Sequence, residues 1–245
     1  MLLRMSAILS LAGLFVVAAG PLLAQEFSVS LGDGASLSGR SVQLILLITV
    51  LSIAPGLAIM VTCFPFLVTV LSILRQAIGL QQSPPNMLLV SLAMFLTYFI
   101  MEPVFIQAWT EGIEPLTREE LTMAEAFPKV ADPFRTFMLG RIDPETFASI
   151  ASLRPEIASL SPSADAPLSV LVPSFMLSEV ARAFQVGFLI FVPFLVIDLV
   201  VAAILMSMGM MMVPPAVVAL PFKLSFFVLA DGWRLLTEGL VRSYF

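Results

Sequence analysis

Two stretches without a single Asp, Glu, Lys or Arg constrain this chain more than any other feature. None occurs between Arg40 and Arg75, and none between Arg75 and Glu102. The hydrocarbon core of a bilayer is about 30 Å thick and takes roughly 20 apolar residues of helix. Val42–Leu74 would run to about 50 Å as one helix at 1.5 Å per residue, so it overshoots a simple span. Pro55-Gly56 and Pro65 lie inside it and predict a break or kink. Gln81-Gln82-Ser83-Pro84-Pro85-Asn86 reads as a turn, because a proline pair cannot continue the preceding helix. Met87–Met101 then predicts a second apolar helix.

Composition agrees. Hydrophobic residues make up 59% of the 245 and charged residues 12%, against 45–50% and about 25% in an ordinary soluble domain. A soluble fold of this size could not hide so much apolar surface. Absences narrow the chemistry further. There is no histidine, which removes Ser-His-Asp triads and HExxH zinc sites. Cys63 is the single cysteine, so neither an intrachain disulfide nor a thiolate cluster can form. No phosphate-binding GxxxxGK[ST] loop occurs, and a net charge of −5 argues against nucleic acid as a partner.

The start reads as an export signal: Arg4, then the uncharged run Ala7–Ala19, then small residues up to Ala24. An uncleaved anchor helix is the alternative. Residues 25–41 read as a loosely held polar segment. Residues 42–101 form a first hydrophobic helical hairpin. Glu102–Pro167 carries 11 acids and 5 bases, more than half of all the charged residues, and reads as a water-facing helical domain punctuated by prolines. Thr117 before Arg118-Glu119-Glu120 predicts one helix cap, and Asp143-Pro144-Glu145 another. Residues 168–245 form a second hairpin. Ala183–Val213 ends at Pro214-Pro215, Ala216–Ala230 follows, and a mixed tail carries Trp233, Arg234 and Tyr244, as at a membrane interface. A cleaved signal would leave the acidic block outside after four crossings, and Arg75 beside the first turn fits the positive-inside tendency.

Three groups of residues stand out. Asp198 has 15 uncharged residues before it and 24 after. A charge there must find a partner, and Lys223 is the best candidate. The pair reads either as an ion or proton pathway or as an ion pair that fixes helix packing. Glu179 and Arg182 can pair along one helix face, with a solvated helix entrance as the plainer reading. Met206, Met208, Met210, Met211 and Met212 are five methionines in seven residues before a proline pair. They follow no helical stripe. Flexible thioethers in such a turn can close around variable shapes, or simply fill gaps in packing.

Several of these segments resemble one family. Arg75-Gln76-Ala77, Gln81–Asn86, Phe95-Leu96-Thr97, Pro133-Phe134-Arg135, Ser178-Glu179, Ala183-Phe184-Gln185, Ile197–Ala202, Leu220–Lys223 and Asp231-Gly232-Trp233 are similar to the FliP family of flagellar export-gate proteins. The resemblance covers about Leu44–Phe245. It implies an all-α integral membrane protein, with hydrophobic helical hairpins and a helical extramembrane domain, that assembles as an oligomeric export gate. It implies five copies joined to FliQ and FliR around a pore, alongside other flagellar export membrane proteins and the basal-body ring. Unfolded flagellar subunits would be the cargo. It implies a bacterial inner-membrane location with a periplasmic-side domain, and no catalytic residue, cofactor or metal. The methionine turn would be a gasket on the closed pore, and Asp198, Lys223, Glu179, Arg182 and Arg75 intramembrane or interface charges. The alternatives are a virulence injectisome subunit and, in a different class, a small-solute or ion transporter. Two positions depart from the family pattern. Cys63-Phe64-Pro65-Phe66 stands where a Ser-Phe-Thr-Arg stretch is usual, and Ala181 stands where a lysine is usual, with Arg182 one position later.

Overall fold

A computed structural model describes residues 37–80, 83–158, 160–163, 165–210 and 212–245. The expected signal (1–24), most of the polar segment, Gln81, Gln82 and Met211 lie outside the described residues. Among the described residues the chain is all-α. Two compact units divide it at Leu51/Ser52.

Helix α1 spans Leu37–Met60, so residues 37–41, expected to be loose, already belong to a helix. Its side chains from Leu44 to Met60 are exposed. The expected break falls at Val61–Cys63 and not at Pro55-Gly56, because Pro55 is carried inside α1. Pro65 sits in the first turn of α2, Phe64–Ile78, where a missing amide leaves no bond unmade. Gly79 ends α2 in the left-handed conformation (φ 89°), its N–H donating to Gln76 O.

Helix α3, Asn86–Ala108, passes through Glu102-Pro103 without interruption. A π-helical turn (Trp109–Ile113) and the short α4 (Glu114–Thr117) extend it to a 32-residue rod. The sharp change of composition at Glu102 is therefore not a helix boundary. Thr117 does not cap a following helix. It closes α4, its hydroxyl donating to Glu114 O at 2.7 Å. The cap lies at Thr122, which begins α5 (Met123–Leu139) with a reciprocal box: Glu125 Oε2 accepts from the Thr122 N–H at 2.9 Å. Pro128 and Pro133 do not punctuate the acidic block either; both sit inside α5. That helix survives the lost amides because Ala126, Pro133 and Met138 bury one face. Asp143 does cap α6 (Pro144–Ser152), accepting from Thr146 N at 2.9 Å.

Helix α7 is continuous over Leu168–Ser207. Its 40 residues reach about 60 Å, with Pro173 and Pro193 accommodated inside. It stops six residues before Pro214. Helix α8 follows (Pro215–Leu229), then α9 (Gly232–Arg242), bent from α8 by 62°. The mixed tail is thus mostly a helix.

Small residues set the packing. Gly187 in α7 lies so close to α2 that a Cβ there would come within 2.4 Å of Ile73 Cδ1. With Ala93 and Ala183, it lets α2, α3 and α7 close on Phe66, Leu67, Val70 and Leu71. A second core, Met138, Phe147, Val170, Leu171 and Phe175, seats the acidic block on the start of α7. Near the far end of α7 the packing thins to Val201, Leu205 and Ala219. Among the described residues two helices are long and apolar enough to cross a membrane, Asn86–Thr117 and Leu168–Ser207. The number rises to four if each bent pair counts as one span.

Candidate functional site

Among the described residues the buried charges Glu179 and Lys223 mark two clusters that reach α7 at Glu179 and Asp198, 19 positions apart, about 28 Å along the helix axis.

The first centres on Glu179, which is 0% exposed. Arg141 Nε donates to Glu179 Oε1 at 3.0 Å and Arg182 Nη1 to the same oxygen at 3.1 Å. The Tyr244 hydroxyl donates to Oε2. Arg182 Nη2 also reaches Arg141 O at 3.3 Å, and Ser178 Oγ accepts from Asp143 N at 3.0 Å. Glu179–Arg182 is therefore no solvated helix entrance. A carboxylate stripped of water needs compensating donors, and here three side chains supply them. Burial, and then the adjacent Glu179 carboxylate, push the Tyr244 hydroxyl far above the usual phenol range, so it stays a donor. Arg141 and Tyr244 were missed by sequence reasoning. Arg141 looked like one more base in a water-facing block, and Tyr244 like an interfacial aromatic. They lie 38 and 65 positions from Glu179, and no local pattern reveals such pairings.

The second cluster joins three helices. Lys223 Nζ donates to Asp198 Oδ2 at 2.7 Å and to Ala77 O at 3.0 Å. Lys223 is only 6% exposed. Ala77 lies in the last turn of α2, where carbonyls lack intrahelical partners and the helix dipole is negative. One ammonium thus binds one carboxylate oxygen of α7 and one carbonyl at the C-terminus of α2, while Asp198 Oδ1 is buried without a hydrogen-bond partner among the described residues. Arg75, two residues before Ala77, belongs to neither cluster. It donates to Pro84 O at 3.4 Å and to Asn86 Oδ1, tying down the turn before α3.

The methionines sit where α7 ends. Gly209 adopts φ 75°, Gly209 N donates to Met206 O and Met210 N to Leu205 O at 3.0 Å. That is a Schellman ending, which needs a residue able to take positive φ. Gly209, and not the proline pair, stops the helix, and a glycine after an apolar helical run was the signal for it. Met206, Met208, Met210 and Met212 are exposed, Met212 at 97%. Among the described residues no group of His, Cys, Asp and Glu could hold a metal ion.

Residues 47–240 match the model of the FliP family. The chain belongs to the FliP family. The chain is 50% identical to the flagellar biosynthetic protein FliP of Caulobacter vibrioides over 99% of its own length and 92% of the relative's. It is 51% identical to the FliP of Agrobacterium fabrum over 81% of each chain. To that of Bacillus subtilis it is 46% identical over 83% of its length and 92% of the relative's. In this FliP-family chain Phe66, the last residue of the Cys63–Phe66 stretch, is fully buried. Its ring meets Tyr244 edge-on at 5.6 Å. The Arg141 guanidinium lies 5.9 Å from its centroid. Arg141, at the α5–α6 corner, thus places a guanidinium beside Phe66.

Proposed function

We propose that this chain is a core, pore-forming subunit of the flagellar type III export apparatus, through which unfolded flagellar subunits leave the cytoplasm. The observation that carries the reading is full-length similarity to flagellar biosynthetic FliP proteins. In the proposal the chain assembles as five copies with FliQ and FliR, next to other export membrane proteins and the basal-body ring. It sits in the bacterial inner membrane with the acidic block, residues 102–167, on the periplasmic side. It is not an enzyme and needs no cofactor; energy for export comes from partner subunits and the proton gradient.

The methionine turn supports a gasket. Its thioethers are exposed in the single chain and held at the end of a long helix by a glycine-terminated turn. Five such turns around an axis would form a deformable seal. Met206, Met208, Met210 and Met212 are exposed in this way, and Met211, the fifth residue of the proposed gasket, lies outside the described residues. The Asp198–Lys223 contact favours a packing role over an ion pathway, because the ammonium is already bound by a carboxylate and a helix-end carbonyl.

Clean deletion of the gene tests the function. Hook and filament proteins should vanish from the culture medium and return with a plasmid-borne copy. Undiminished flagellar export would refute the proposal and redirect attention to an injectisome. Replacing Met210 and Met212 with alanine should leave assembly intact and raise the ion conductance of the assembled complex in planar bilayers. An unchanged conductance would refute the gasket.

A further inference from the structure

The short segment after α9 does more than end a helix. Arg141 Nη1 donates to Ser243 O at 2.7 Å. The Arg141 guanidinium also lies 4.0 Å from the centroid of the Tyr244 ring. That ring stacks on Phe137 at 6.0 Å and meets Phe66 edge-on at 5.6 Å. Its hydroxyl reaches the fully buried Glu179. Two consecutive residues thus touch α2, α5, the α5–α6 corner and α7 together. Yet their backbone is held only by last-turn bonds, Ser243 N to Gly239 O and Tyr244 N to Val241 O, and by Arg141. Ser243 and Phe245 on either side are exposed. The segment can therefore lift by rotation near Ser243 without unwinding any long helix.

We propose that Ser243–Tyr244 is a strap that locks the acidic block to the long helix. With the strap down, Arg141 is pinned between Glu179 and the Tyr244 ring, and the α5–α6 corner cannot leave α7. With the strap lifted, Glu179 loses one of its three donors and Arg141 loses both a carbonyl and a π face. The α5–α6 corner is then held to α7 by fewer contacts, with the second core and the Asp143–Ser178 bond as its remaining anchors, and it loosens against α2 and α7. Tyr244 is a positioning residue in this scheme, and nothing in the scheme depends on which cargo the protein exports.

The chain carries its own reporter. Cys63 is its single cysteine, is 0% exposed, and belongs to the core on which Tyr244 packs. We would measure the rate of maleimide modification of Cys63 in the full-length protein in detergent micelles, with far-UV circular dichroism as the check on folding. Tyr244→Ala loses the ring contacts as well as the hydroxyl and should raise the rate well over about tenfold with the helical signal kept. Tyr244→Phe keeps the ring contacts and loses the hydroxyl's bond to the Glu179 carboxylate, so its rate should rise about tenfold, the scale expected when a hydrogen bond to a charged group is lost. Phe245→Ala, beside the strap but exposed, should leave the rate unchanged. A parental rate in Tyr244→Ala, or an equal rise in Phe245→Ala, would overturn the proposal. If Tyr244→Ala loses its helical signal, Tyr244→Phe decides: a rise supports the strap, and a parental rate overturns it.

Discussion

Replacing Glu179 by glutamine tests the account of the buried cluster most directly. Glutamine keeps the shape and one carbonyl acceptor but removes the charge. Arg141, with only 14% of its side chain exposed, would then have no counter-ion. Removing one partner of a buried pair costs about 3–5 kcal/mol. Arg182 adds little, because 34% of its side chain meets solvent and exposed pairs contribute roughly 0–1 kcal/mol. For a chain of this size each kcal/mol lowers the melting temperature by about 2–4 °C. The expected drop is therefore about 6–20 °C, read from the fluorescence of Trp109 and Trp233 in detergent. Glu179→Leu with Arg141→Met removes both members of the tightest pair, so it should be less harmful than Glu179→Leu alone. A drop under about 2 °C for Glu179→Gln, or a double variant worse than the single one, would refute the view that these groups compensate each other's burial.

Three further outcomes are expected. Lys223→Met should destabilise more than Asp198→Asn, because it strips the partner from both the carboxylate and Ala77 O; the paired variant Asp198→Asn/Lys223→Met should recover part of the loss, measured by the same melts. Gly187→Ala should cost about 1–3 kcal/mol by overpacking against Ile73, whereas Gly239→Ala, with nothing within 4 Å of the added carbon, should be neutral or stabilising. Thr146 holds the Asp143 carboxyl below its usual range through its side chain and backbone N–H, and Thr122 does the same for Glu125. A depressed carboxylate contributes stability that is complete above its unfolded value and is lost as pH falls through the folded one. Amide exchange at the first turns of α5 and α6 should thus quicken, relative to the remaining helices, only below about pH 4, and Asp143→Asn should abolish that pH response in α6.

Much of the architecture was legible in the residues. Charge-free runs determined that the long elements are apolar helices, since a backbone in lipid must satisfy its own hydrogen bonds. Asp143-Pro144 marked a helix start because capping is a local affair between neighbours. Lys223 was named as the candidate partner of Asp198 because each is the sole charge in its stretch. The family resemblance rests on segments spread over about 200 residues, and the match over residues 47–240 bears it out.

Other features were decided only in three dimensions. Pro55, Pro128 and Pro133 predict interruptions, yet each lies inside a helix, as do Pro103, Pro173 and Pro193. Packing on one face outweighs a single lost amide bond, and no local rule weighs the two. Proline did mark a boundary where it could occupy a first turn, at Pro65, Pro144 and Pro215. Glu179 was expected at a wet helix entrance and lies fully buried, because the residues that cover it come from a distant corner and from beyond α9. The sequence by itself determined which segments avoid water, since that depends on composition and period alone. The tertiary structure decided which charges those segments bury together, since Arg141, Glu179 and Tyr244 meet only after four helices have closed around them.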